Sequence, residues 1–245
     1  MKKFIILLLS VLVYSPLALA DANLQDHEEI SFSDLSLDEK YDHFVSLGVP
    51  ARPLGQTLDF FEKNGNRIYN KRYISIGDFS QHSRNKRLYI MDMETGKLQR
   101  EYVSHGSGRN KIGLPVADMW HSGKPRRCKH SRFSKRLGLV PHRIWGMTRP
   151  GFIRVDGTYH SKKFAYGHYK KTGAPNALLL TGLERSSSDV RRNAVVIHEA
   201  WYMKNKRRRQ GRSLGCPSVP QGRMPHIINK IKGGSLYYSY VPQCM

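Results

Sequence analysis

The second half of this 245-residue chain is short of negative charge. No Asp or Glu occurs between Met119 and Val155, and none follows Glu199. With 41 Lys and Arg against 19 acidic residues, the formal charge is +22. Such a field steers polyanions and anionic surfaces. Cysteine is scarce. The three present, Cys128, Cys216 and Cys244, have no C-x-x-C spacing, which argues against a structural zinc site. His198-Glu199 begins like the zinc motif HExxH, but Tyr202 stands where the second histidine must be, so no metal is expected. Walker and Rossmann glycine patterns are missing, and no cofactor is implied. There is no internal repeat and no heptad. Beyond residue 20 no apolar run approaches the roughly eighteen residues that suggest a membrane span.

What is present begins with a leader. Lys2 and Lys3 form a charged end, Phe4 to Val13 an apolar stretch, and Ala18-Leu19-Ala20 a small-residue cleavage site before Asp21. Residues 1–20 therefore read as a signal peptide, and the mature protein as exported, periplasmic or extracellular, with no membrane span after signal removal. An odd number of cysteines leaves at least one unpaired within the chain. Cys128 and Cys244 can bridge and leave Cys216 reactive, or both can be incidental thiols. Positive charge concentrates in Lys124 to Arg143 and in Lys204 to Arg212. Outside the cytoplasm the polyanions at hand are wall polymers and lipopolysaccharide, and no nucleic acid partner is expected. A solvated face is the plainer reading of such runs.

Residues 21–66 read as an N-terminal helical extension. Ser36 and Glu39 form a capping box, and Leu37, Tyr41, Phe44 and Val45 follow at helical spacing. Gly48 and Pro50 end that helix, and a second covers Leu54 to Lys63. From Arg72 onward strand signals dominate: RYISIGDFS, KRLYIMDM, KLQREYVSHG, NALLLTGL, NAVVIHEA and SLYYSYV, with one or two more near Ile144 and Ile153. The two short, almost wholly apolar runs among them suit strands buried on both faces. Residues 67–245 are thus expected to form a mostly β body.

The chemistry concentrates at Cys216, in the string GRSLGCPS, with His198 eighteen positions earlier at the end of AVVIH. A thiol of ordinary pKa is only about 3% thiolate at pH 7, so a nucleophilic cysteine needs a base. An imidazole can take the proton and then stabilise the thiolate. Gly215 leaves room for a substrate carbonyl, and the backbone N–H groups of Gly215 and Cys216 are candidate oxyanion donors. Ser213 either donates into the site or bonds its own turn. Arg212 offers a planar fork for a carboxylate. His105 and His168 either line the cleft or serve as structural hydrogen-bonding histidines. Nearby positive charge would favour the thiolate.

The Gly211 to Pro217 segment, with His198 ahead of it, resembles the murein L,D-transpeptidase catalytic-domain family, in a branch carrying GRSxGCP. IGDFSQHSRNKRLYIMDMETGKLQREYVSHGSG is similar to that branch's opening strands, and YGHY at Tyr166 to Tyr169 precedes the GLE of Gly182 to Glu184. The likeness spans roughly Arg72 to Val219. It departs from the wider family at Leu214, where histidine is commoner, and at Ser218, where an arginine linked to carboxylate recognition usually stands. The resemblance implies a β-sandwich or barrel catalytic domain acting on peptidoglycan stem peptides. Cys216 would form a thioester with the stem and expel D-alanine. His198 would act as base and then acid, oriented by a backbone carbonyl rather than by a carboxylate, so Glu199, grouped with Gly215 and Cys216 as an oxyanion or backbone residue, need not be a triad acid. The acceptor stays open: an amine gives a cross-link and water gives carboxypeptidase activity. A binding module for anionic polymer with a decayed site is the rival of another class.

Overall fold

A computed structural model describes residues 31–106, 148–165, 168–211 and 213–242. Cys128, Cys244, Arg212 and the basic stretch from Lys124 to Arg143 lie outside the described residues, as does the side chain of His168.

Helix α1 (Leu37–Ser46) starts at Ser36, where both halves of the capping box form: the Glu39 N–H donates to the Ser36 hydroxyl, and the Ser36 N–H donates to the Glu39 carboxylate. Helix α2 (Ala51–Lys63) begins three residues earlier than the apolar spacing suggests. Pro50 is its N-cap rather than a mere terminator. Pro53 fits inside the first turn because N–H groups there have no partner within the helix.

Eight strands follow: β1 (Tyr73–Asp78), β2 (Leu88–Asp92), β3 (Leu98–Glu101), β4 (Gly151–Tyr159), β5 (Ala177–Gly182), β6 (Val196–Ala200), β7 (Ser218–Pro220) and β8 (Ser235–Tyr240). A short helix α3 (His168–Thr172) precedes β5, and α4 (Met224–Ile231) links β7 to β8. Along the sheet the order is β3-β2-β1-β8-β4-β5-β6-β7, with β1–β8 and β6–β7 parallel and the other pairs antiparallel. The mostly β class expected from the strand signals is the one observed.

Strand residues divide by parity between two apolar cores. Leu88, Ile90, Ile153, Val155, Ile197, Val219 and Tyr237 point to one face, where Met224, Ile227, Ile228 and Ile231 of α4 cover them. Ile74, Ile76, Tyr89, Met91, Leu236 and Tyr238 point to the other and meet Phe44, Leu54 and Leu58 of α1 and α2. Coverage on both faces explains why RLYIMDM alternates so loosely: all of β2 is buried. The two helices therefore share a core with the sheet. From Ser31 onward the chain clusters as one compact unit, with no break near residue 66.

The terminal strands of the sheet are drawn together. Arg223, just after β7, grips the fully buried carboxylate of Glu101 at the end of β3, its Nε 3.1 Å from each oxygen. Beyond β3 the chain runs on beside the approach to β7. The Ser104 N–H donates to the Ser218 carbonyl at 2.8 Å, the Ser218 N–H donates to Ser104 Oγ at 2.9 Å, and Gly106 bridges Ser213. The sheet closes barrel-like along this seam, and the Cys216 loop lies in it.

Candidate active site

His198 projects from β6 opposite Ser218 of β7. Val195, Ile197 and Val219 face the core, so residues 196, 198 and 218 face the other way. Cys216 stands two residues before Ser218. Its sulfur meets the N–H of Val196, two before His198, and lies 3.9 Å from the Ala194 carbonyl. The thiol, in the loop that enters β7, thus lies against the stretch of chain that leads into His198 on β6.

The imidazole is 3% exposed. Its Nδ1 donates to the Glu199 carbonyl at 2.7 Å, which fixes the tautomer and leaves Nε2 as an acceptor. Ser218 Oγ lies 3.0 Å from Nε2 and is also 3.0 Å from the Tyr202 hydroxyl, so Tyr202 donates to Ser218 and Ser218 to the ring. Among the described residues no hydrogen bond joins the sulfur to the imidazole. The ring of Phe164 stacks on it, centroids 3.6 Å apart and planes 15° from parallel. Burial pulls the imidazole pKa down to about 4, against a smaller upward pull from the Glu199 carbonyl and a further downward one from Lys163. The base is neutral at pH 7.

Cys216 keeps part of its surface open, yet burial pushes its thiol pKa up; the Val196 N–H and the Lys163 ammonium pull the other way and do not prevail. The expectation that local positive charge would favour the thiolate is therefore corrected: desolvation outweighs the cation here. Tyr159 sits close enough to the sulfur that a thiolate would raise its own pKa, an effect secondary to burial.

The loop ahead of the sulfur is held on both sides. The Ser213 N–H donates to the His105 carbonyl at 2.9 Å, and Ser213 Oγ, 3.3 Å from the same oxygen, accepts the Gly215 N–H at 3.0 Å. Ser213 is therefore bonded within its turn rather than aimed at a ligand, and the Gly215 N–H is engaged, which leaves the Cys216 N–H as the remaining oxyanion candidate. Gly215 has φ +111°, a conformation that a side chain would strain. On the far side, Ser104 Oγ donates to the Cys216 carbonyl at 3.2 Å. His105 is fully buried beneath the loop and offers no ring to a cleft. Its Nδ1 lies 2.8 Å from Arg87 Nη2; a guanidinium only donates, so Nδ1 accepts. Arg87, itself fully buried, also donates to the carbonyls of Val103 and Gln81, and burial lowers its pKa to about 10, so it remains charged at neutral pH.

The Glu199 carboxylate accepts the Gly222 N–H at 2.8 Å, so its tie is to the β7–α4 turn, while its carbonyl serves the imidazole. Lys204 to Arg209 are all exposed, in a loop held by the buried Gln210, whose side chain bonds the Lys204 N–H and the Lys206 carbonyl. A separate cavity of about 910 Å³ is lined by His43, Lys86, Lys97, Arg100 and Lys230 among others, and by none of the residues around the thiol. Among the described residues no group of three His, Cys, Asp or Glu could hold a metal, and no helix is long and apolar enough to cross a membrane.

Sequence reasoning marked Ser218 only as a departure from the family and passed over Phe164, Lys163, Tyr159 and Arg87. Ser218 carried a readable signal, since a residue two after the cysteine shares its face on a strand. The others lie far from both motifs and are brought in only by the fold.

A barrel-like sheet with a histidine on β6 and a cysteine in the loop that enters β7, at its seam, defines a cysteine-centred site on a mostly β scaffold. The chain belongs to the L,D-transpeptidase catalytic domain family, whose model matches residues 48–121 and 153–240. Among solved structures, it is similar to Bd1075 of Bdellovibrio bacteriovorus at 14% identity and TM-score 0.33, covering 71% of this chain and 51% of that one. It is also similar to an L,D-transpeptidase of Xylanimonas cellulosilytica at 14% identity and TM-score 0.32, covering 75% and 69%. The chain thus spans about half the length of the Bdellovibrio protein. No curated protein matches.

Proposed function

We propose that this protein is an exported cysteine acyltransferase acting on peptidoglycan stem peptides, with Cys216 as nucleophile and His198 as general base. The observation that carries the reading is the contact of the Cys216 sulfur with β6 and the turn before it. It brings the thiol to the strand that carries an imidazole whose Nδ1 is fixed by a backbone carbonyl, so that Nε2 can accept a proton. Family membership supplies the substrate class, and the leader at residues 1–20 supplies the address.

In the first half-reaction the stem carbonyl approaches the sulfur and Nε2 exchanges Ser218 for the thiol. The thiol proton passes to Nε2 as sulfur bonds the carbonyl carbon. The oxyanion meets the Cys216 N–H. The carbon–nitrogen bond then breaks, the imidazolium returns its proton to the leaving amine, and D-alanine departs from a thioester. In the second, an amine or water gives its proton to Nε2, attacks the thioester and releases the product, and the sulfur regains its proton. An amine forms a cross-link and water gives carboxypeptidase activity.

Mature protein and Cys216→Ala are incubated with defined tetrapeptide muropeptides and the products read by mass. Release of D-alanine by the wild type alone supports the reading; release by both, or by neither, refutes it. A second reading, a binding module for anionic wall polymer or lipopolysaccharide, draws on the four cations around the 910 Å³ cavity. It predicts salt-dependent sacculus binding that Cys216→Ala leaves unchanged.

A further inference from the structure

The position two residues after the nucleophile holds Ser218, a neutral side chain whose hydroxyl is bonded to the imidazole. A site for an anionic peptide still needs a cation, and the fold supplies one from a distant segment. The turn after β4, Ser161 to Ala165, is clamped by Asn176, a fully buried side chain. Its Oδ1 accepts the Ser161 N–H at 2.7 Å, its Nδ2 donates to the Ser161 carbonyl at 3.0 Å, and its own N–H donates to the Tyr159 carbonyl. The Phe164 N–H closes the turn onto Ser161 at 3.1 Å, and the Phe164 ring lies flat on His198. Lys163 is exposed on this fixed turn, with Nζ 5.7 Å from the centroid of the ring that covers the imidazole. Among the described residues it enters no ion pair, and the nearest acidic side chain in sequence to the catalytic pair, Glu199, is tied to Gly222. Both the thiol and the imidazole feel its charge.

We propose that Lys163 is the specificity-determining cation of the site and binds the terminal carboxylate of the residue expelled from the stem peptide. The geometry favours that carboxylate over more distant ones. A substrate whose scissile carbonyl reaches Cys216 carries the terminal carboxylate of the next residue within about 4 Å of chain. The Lys163 ammonium lies 5.7 Å from the centre of the ring that stacks on the imidazole, and its long flexible stem lets it reach an anion bound there. An extra C-terminal residue would move the carboxylate out of reach, so the site selects stems that end one residue past the bond it cleaves. Lys163 is exposed, so its removal leaves the fold intact.

This inference rests on the acyltransferase reading, and the test separates the two. Wild type, Lys163→Ala and Lys163→Arg are given a tetrapeptide stem ending in D-alanine and the same stem ending in D-alanine carboxamide. Release of the terminal residue is measured, and so is the protection each stem gives Cys216 against iodoacetamide. Lys163→Ala should lower kcat/KM for the carboxylate stem by about tenfold to a hundredfold, the loss expected for a charge-assisted hydrogen bond. The carboxamide stem reports what the lost charge does to the thiol and the imidazole alone, so the preference for carboxylate over carboxamide is the readout; it should fall by about tenfold or more in Lys163→Ala, and Lys163→Arg should restore most of it. Equal losses on both stems, or none on either, overturn the assignment and leave the acyltransferase reading standing. If the wild type cleaves neither stem, that reading fails while protection still decides the inference: stronger protection by the carboxylate stem, abolished in Lys163→Ala, upholds it, and equal protection overturns it.

Discussion

The buried imidazole couples the stability of the whole domain to pH. His198 falls from an ordinary 6.5 to about 4, chiefly by burial under Phe164 and between the strands. The groups facing it are Lys163, Ser218, Tyr202 and the Glu199 carbonyl; the Glu199 carboxylate is bonded to Gly222. A depressed folded pKa means that the unfolded chain binds more protons between the two values, so stability rises with pH across that window. The contribution is complete above pH 6.5 and is lost as pH falls to about 4. A shift of about 2.5 units corresponds to about 3 kcal/mol, a large part of an ordinary domain's stability. The assay is urea unfolding of wild type and His198→Gln at pH 7.5 and pH 4. Gln fills a similar volume and cannot charge. Other titrating groups cancel in the comparison, so the wild type should lose about 3 kcal/mol more than the variant on acidification. Equal losses would show that the ring takes up its proton without leaving its place, and the argument from burial would fail.

Phe164→Ala uncovers one face of the ring and should raise its pKa by about one unit or more toward the ordinary value, read from the imidazole carbon shifts in an NMR titration; an unchanged pKa would mean that the strands alone desolvate it. Arg87→Met strands the carbonyls of Val103 and Gln81 and the Nδ1 of His105, and should cost about 3 to 5 kcal/mol in urea unfolding. A loss under about 1 kcal/mol would show that the seam holds without its buried cation.

The capping box at Ser36 and seven of the eight strands, β4 among them from the signal near Ile153, are legible because local signals and fold agree there. Helix α4 carries a local signal as well: Met224, Ile227, Ile228 and Ile231 repeat at helical spacing, with Pro225 in the first turn. Its neighbour β7, three residues long, is too short for any periodicity and exists because parallel pairing with β6 stabilises it. At the site, Cys216 and His198 stand out by residue type and spacing. Lys163 and Phe164 do not, since a basic–aromatic pair on a polar turn looks like any surface loop until Asn176 pins it beside β6. Arg87 is the hardest to foresee. Its partners are two backbone carbonyls and a ring nitrogen, and nothing in composition marks an arginine that will be wholly buried.

The placement of the thiol at the seam makes the resting site both rigid and chemically quiet. Open strand edges are a liability that a sheet must cover. Here the cover is the chain beyond β3, and the bonds that close it, Ser104 to Ser218 and His105 to Ser213, bracket Cys216 on either side. Closure of the fold and positioning of the sulfur are then one set of hydrogen bonds. In that state the thiol stays protonated and Nε2 is occupied by Ser218, so the thiolate, the species that oxidants attack, is scarce. The cost falls on catalysis, because a base near pKa 4 and a raised thiol are poorly matched for proton transfer. The match must improve when a peptide enters. On the proposed function, a carbonyl at the sulfur would give the departing proton a driving force that the free protein lacks, and a substrate carboxylate at Lys163 would offset the cation that holds the imidazole pKa down. Activation would then be tied to an anionic substrate, in a site whose parts are in place and whose thiol is protonated at rest.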